Sequence, residues 1–372
     1  MRTARFLLLA FACLLVGCNS ATKVVTTPTN AVRSYNGTAS VGDFLTISID
    51  SNAYTITYDN RTNGETGTVP YSVNADGSYT ITDPQGNLLS AYEVPGSVLV
   101  VEAANAGPNK DADALITAVE SVPVTIQTFA GTQFNYMQFR HTNGGAEFGT
   151  VSIDTQGNIT ANSYDPGAIL WQPGGTYFNG STFPASGLTE DPSGDFFVVQ
   201  EQDGASSTVF GTQGGFFAVD NPNGAILGLP KAATKEFNSA AAGTYNAIYY
   251  EKLNAQMQGQ GNSSVEVGTP AEGKATVTVS ATGAVTITDS QSNTMASGTL
   301  VAIADAAYIY GTQGELADPC YGMFTILTDT TSLHQEVFVT FQGNAVIFSS
   351  FQTAKPVQNN GTYTYFQGVG LK

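Results

Sequence analysis

The 372-residue chain has two histidines, His141 and His334, and three cysteines, Cys13, Cys18 and Cys320. Imidazole and thiolate carry most triad and zinc chemistry, so this scarcity argues against a Ser-His-Asp triad or a His-rich zinc site. His141 stands in the turn "RHTNGG" and His334 in "SLHQEVF" ahead of a strand, and both read as surface-loop residues. Thirty acids leave a hydrolase working through Asp or Glu open, but no spacing singles out a pair. The irregular stretch "SYDPGAILWQPGGTYFNGSTFPASGLTEDPSGD", residues 163–195, holds the single tryptophan. Trp171, Tyr164 and Tyr177, with Asp165 and Glu190, would offer a flat apolar platform beside hydrogen-bond acceptors, which is what a sugar face needs. The competing reading folds these aromatics back to cap one end of a barrel or sandwich.

A second candidate is "NKDADALITAVE", residues 109–120. It resembles the twelve-residue calcium loop of EF-hands. That resemblance implies oxygen ligands from Asn109, Asp111 and Asp113 at positions 1, 3 and 5, with Glu120 bidentate at position 12. Ala114 departs from it, because glycine at position 6 permits the sharp turn, and "AANAGP" upstream does not form an incoming helix. The competing reading is a solvated acidic loop leading into a strand. No cofactor other than calcium is implied. The glycines lie at turns and open no helix, so neither a phosphate-cradling loop nor a dinucleotide fingerprint is present.

The elements that must position these residues are strands. The apolar period is two in "SVPVTIQTF", in "KATVTVSATGAVTITD", in "TVSIDTQGNITA" and in "VFVTFQGNAVIFSS". Gly157-Asn158 and Gly343-Asn344 read as type II′ hairpin turns, with glycine supplying the positive φ, and Thr282-Gly283 reads as a further turn. No stretch after residue 32 keeps a 3.6-residue period over three turns. The expected fold is all-β. Gly-Thr precedes an aromatic-rich strand at Gly37, Gly131, Gly243 and Gly361, and Asp-Pro-x-Gly recurs at Asp83 and Asp191. These repeats predict tandem antiparallel β modules, small up-and-down barrels or sandwiches, over 33–121, 122–231 and 232–372. Residues 361–370 would supply an extra strand that closes an edge. In "DPCYGMF", Cys320 reads as a small buried residue at a strand entrance.

The first thirty residues concern address. Arg2 and Arg5 precede an apolar run of about eleven residues, the layout of a secretory leader over residues 1–17. That run is well short of the roughly twenty residues that span a bilayer. "LVGC", residues 15–18, resembles the lipobox of bacterial lipoproteins. The resemblance implies that Cys18 becomes the first mature residue and carries the acyl chains of a membrane anchor, and Asn19 after it favours the outer membrane. Residues 18–32 then form a Thr/Ser-rich tether broken by Pro28, with a flexible reach of roughly 20 Å.

Composition narrows the partners. The formal net charge is −17, and loss of Arg2 and Arg5 with the leader makes it more negative by two. No basic surface is left for a nucleic-acid backbone. Charged residues make up 12% of the chain, about half the usual share. The expected role is that of a non-enzymatic envelope lipoprotein that binds or scaffolds, with a glycan or envelope polymer as partner through the second module. The alternatives are a secreted Asp/Glu-dependent hydrolase and a structural surface component.

Overall fold

The structure is a computed structural model that describes residues 31–107, 112–140, 147–164, 178–183, 188–200, 205–213, 215–222, 224–256, 264–266, 271–303, 320–329, 333–354 and 362–372. The first sheet is an eight-stranded meander closed into a barrel. Its strands are β1 (Val32–Ala39), β2 (Phe44–Asp50), β3 (Thr55–Asn60), β4 (Glu65–Val73), β5 (Tyr79–Thr82), β6 (Leu88–Val94), β7 (Val98–Ala106) and β8 (Ala112–Glu120). Each pairs antiparallel with the next, and β1 returns to pair with β8, Gly37 opposite Ala118.

The other two sheets follow the same plan with one break each. In the second, the strand Gln133–Arg140 pairs both with its successor Glu147–Ile153 and with the last strand, Gly224–Pro230. The ring is left open between Phe178–Phe183 and Leu188–Glu190. In the third, Gly243–Gln256 pairs with Ala271–Val279 and with the last strand, Thr362–Leu371, and the opening falls between Thr294–Thr299 and Val301–Ala302. In both, the opening lies between the fourth and fifth strands of the meander. The all-β expectation of tandem antiparallel barrels is thus met by one closed barrel and two opened ones. Thr362–Leu371 pairs with both the first strand of its sheet and Ala345–Ala354, so it covers the edges those two strands would otherwise leave. Among the described residues no helix is long and apolar enough to cross a membrane.

Local departures from the sequence reading have physical causes. The alternation in "SVPVTIQTF" does not become a strand: residues 121–125 cross between sheets, and Ile126–Phe129 makes one helical turn. Pro123 cannot donate to a ladder, and the Val124 amide donates to the Gly194 carbonyl across the crossing. Gly343-Asn344 is a two-residue II′ turn, with φ +55° at the glycine and Gln342 paired to Ala345. Gly157-Asn158 instead ends a five-residue loop that begins at Asp154. There the Gly157 amide bonds the Asp154 carbonyl, while Asp154 Oδ1 accepts from the amides of Gln156 and Asn158. The same loop recurs at Asp83–Asn87 and Asp289–Asn293, one per sheet, with Asn Nδ2 on Asp Oδ2 each time.

Ala31–Lys372 form one compact unit. Each sheet fills its own interior with one face, and the opposite faces meet in a core common to all three. Along β7, Leu99 and Val101 point into the barrel, while Val98 and Val100 enter the common core. Phe134 and Tyr136 fill the second sheet, whereas Met137 and Phe139 join the common core. At its centre Phe148 and Phe338 stack with centroids 4.3 Å apart, joining the second and third sheets. Cys320 is fully buried in this core. Phe338→Ala is expected to cost about 3–5 kcal/mol. Because the loss strikes the common core, intrinsic fluorescence and far-UV circular dichroism should follow one denaturant transition displaced to lower concentration. Separate transitions for separate sheets would contradict that arrangement.

Candidate functional site

The barrel is built differently at its two ends. At the end where Ala31 enters, Arg33 of β1 makes a two-pronged ion pair with Glu93 of β6, Nε to Oε1 at 2.6 Å and Nη2 to Oε2 at 2.8 Å. The side chains are 7% and 1% exposed. Tyr35 donates its hydroxyl to Oε1 and Tyr79 to Oε2 of the same carboxylate, and the Gly96 amide donates to the Tyr35 oxygen at 3.2 Å. The Tyr71 ring packs at a tilt against Tyr79, centroids 4.7 Å apart. The Arg33 guanidinium is held above its ordinary range by the Glu93 hydrogen bonds, and burial with the Glu93 charge pushes the Tyr35 and Tyr79 phenols up. This polar cluster plugs the barrel floor.

The opposite half is hollow. A cavity of about 400 Å³ lies among Leu45, Ile47, Ile56, Val69, Ile81, Val101 and Ile116, all inward-facing. The small residue Ala39 on β1 and Ala103 on β7 leave the space unfilled. Tyr58 of β3 lies across Gly67 of β4, where a side chain would meet its ring at 2.7 Å, so the phenol folds over the neighbouring strand at the cavity wall. Half-buried Leu89 and exposed Pro84, Gln85 and Asn105 mark where the cavity opens to solvent. Its size falls in the range of small-molecule sites, roughly 300–1,000 Å³, and an eight-stranded barrel has an interior just wide enough for one small ligand.

The mouth is preformed by hydrogen bonds between its loops. Asp43 Oδ2 accepts from Asn60 Nδ2 at 2.9 Å and from the Gly107 amide at 3.0 Å, tying the β1–β2, β3–β4 and β7–β8 connections together. Gly42 (φ +86°) holds that corner against the second sheet, where a Cβ would stand 2.6 Å from the Asn221 carbonyl oxygen. Beside it Thr38 donates to Asp220 at 2.7 Å, and burial, with the Asp43 charge adding, pushes the Asp220 carboxyl up to about 7. On the other flank Glu272 of the third sheet meets the backbone of Ala103 and Ala114. Burial first, then the charges of Glu102 and Asp113, push its carboxyl up to about 9.

Of the sites expected from sequence, the described residues include Asp113, Glu120, Tyr164 and Glu190. Asp113 and Glu120 lie at opposite ends of one extended strand, β8, and seven residues apart they take opposite faces. A loop wrapped round one calcium ion is therefore not formed by these two acids, because the chain that should curl is paired on both sides. Asn109 and Asp111 lie outside the described residues, as do Asp165, Trp171, Tyr177, His141 and Cys18. Tyr164 ends the strand Ile159–Tyr164, paired opposite Phe148, and Glu190 is exposed on the short edge strand Leu188–Glu190. His334 falls within the strand Leu333–Gln342, not in a loop ahead of it. Among the described residues no group of three or more His, Cys, Asp or Glu is placed to hold a metal ion.

No family model and no curated protein matches the chain. Among solved structures it is similar to a transferrin binding protein B double mutant from Haemophilus parasuis Hp5, at 9% identity and a TM-score of 0.22 over 92% of this chain and 77% of that one. Transferrin binding protein B isotype 1 from serogroup B Neisseria meningitidis gives 12% identity and 0.21, over 88% and 66%. A protein of unknown function from the DUF3598 family of Nostoc punctiforme PCC 73102 gives 7% and 0.19, over 92% and 96%. At such scores the site must be read from its own geometry.

Two outcomes test the construction of the barrel. Glu93→Gln leaves the buried Arg33 without its counter-charge and is expected to cost about 3–5 kcal/mol, measured by urea unfolding. The raised Glu272 carboxyl keeps a proton in the folded protein that the unfolded chain gives up. Stability attributable to this group therefore falls as pH climbs from the ordinary carboxylate range to about 9. Glu272→Gln should flatten that slope of melting temperature against pH, and an unchanged slope would remove Glu272 as its source.

Proposed function

We propose that this is a non-enzymatic binding protein of the cell envelope whose first barrel carries a small, largely apolar molecule. The observation that carries the reading is the open cavity of about 400 Å³ above a plugged floor. Apolar side chains line it, the loops around its mouth are tied before any ligand arrives, and preorganisation of that kind lowers the cost of binding. Among the described residues that line it, none pairs a nucleophile with a base, which favours holding over turning over. Attachment to the envelope is supported by the leader-like residues 1–17 and by Cys18 in "LVGC". A glycan seated on the aromatic stretch around Trp171 stays a separate proposal, resting on residue types alone.

The test uses the full-length protein purified from membranes, with N-phenyl-1-naphthylamine as a neutral apolar fluorescent probe. Enhanced emission saturating at one probe per chain is expected. Leu89→Trp, which places a large ring at the mouth, should abolish it while the melting temperature stays near that of the parent. Saturable emission that survives Leu89→Trp would place the probe elsewhere and sink the barrel reading. The intact mass of the same sample reports on the anchor: an unmodified Cys18 would remove the lipid from the account.

A further inference from the structure

The cavity is apolar inside, and the charged residues described in its lining are acids. Among the described residues that line it, the charged ones are Asp43, Glu65, Asp83 and Glu102, and none is a lysine or arginine. Two of these carboxylates are engaged by the backbone. Glu102 Oε2 accepts from the Ser90 amide at 2.7 Å, and Asp83 Oδ1 caps its own turn through the amides of Gln85 and Asn87.

Asp43 is in a different position. The residue is 1% exposed, and its Oδ2 is saturated by Asn60 and Gly107, yet Oδ1 has no hydrogen-bond partner. A buried carboxylate oxygen left without a donor is costly, and a charge-assisted donor arriving there would relieve it. Behind it stands a second acid, Asp220, whose proton affinity is raised by burial and by Asp43 itself. A ligand bearing its own carboxylate would stand against the like charge of Asp43 at this corner.

From this we infer that the barrel selects amphiphiles with an apolar body and a cationic, N–H-donating head, and discriminates against fatty-acid-like anions. The inference rests on the cavity being a ligand site and specifies what that site accepts. The apolar body lies among Ile47, Ile56 and Val69, and the head stays at the mouth beside Asp43, with Glu65 on the facing rim.

Displacement of bound N-phenyl-1-naphthylamine from the full-length protein separates the two claims. Three probes of equal chain length are compared at neutral pH: n-decylamine, n-decanol and n-decanoate. A charge-assisted hydrogen bond predicts that the amine displaces at concentrations about tenfold or more below the alcohol, with decanoate the weakest. Asp43→Asn should bring the amine close to the alcohol. Because Asp43 also ties the loops of the mouth, Glu65→Gln is measured beside it, and it should narrow the same gap without lowering the melting temperature. Equal displacement by all three probes, or preference for decanoate, would overturn the charge inference and leave the cavity reading standing. Failure of both decanol and decylamine to displace the probe would instead overturn the cavity reading itself.

Discussion

A strand whose side chains alternate in and out has two surfaces to hide, and here many strands are apolar on both. Along β7 the sequence Val98-Leu99-Val100-Val101 sends alternate residues to the barrel interior and to the common core. Ala345-Val346-Ile347-Phe348 does the same for the third sheet. A sheet of this kind standing alone would present valine, leucine and phenylalanine to water. At roughly 1.5–3 kcal/mol for each large apolar side chain, a handful of such exposures equals the whole stability of an ordinary domain. Packing the three outer faces against one another removes that cost. It also ties the barrel's shape to its neighbours, since the Gly42 corner and the β7–β8 wall rest on the second and third sheets.

Within that frame the barrel divides its length between two kinds of interior. The floor uses a bidentate ion pair with two tyrosine hydroxyls on one carboxylate, so the charges buried there are compensated by geometry. The upper half uses aliphatic side chains too small to meet across the axis, with alanine on β1 and β7. A filled core would have needed larger residues at those positions. The hollow is thus a property of side-chain volume, and its opening is a property of the loops that Asp43 gathers.

The hairpin loops show what short-range chemistry can specify. Asp83, Asp154 and Asp289 each close a five-residue loop by accepting two amides and the Asn side chain four residues on. Asp-Pro-x-Gly at Asp83 was visible in the sequence because the loop is local. Reading Gly157-Asn158 as a two-residue turn missed the aspartate that begins it, since period-two counting attends to apolar residues and not to the side chain that accepts the amides. The twelve-residue spacing shows a related point: spacing alone does not distinguish a loop from a strand, and pairing to β1 and β7 keeps the chain from Asp113 to Glu120 extended.

The sequence by itself determined the strand-rich class, the tandem plan and the burial of Cys320. All of these rest on residue type and on contacts a few positions apart. Only the tertiary structure decided that β1 would meet β8, that the second and third rings would open between their fourth and fifth strands, and that Arg33 would reach Glu93. It also decided that Leu45, Ile56, Val69 and Val101, which look like any other core residues in the sequence, would enclose space. Closure and cavity depend on pairings between residues far apart along the chain and on volumes summed across a ring, quantities that no local window contains.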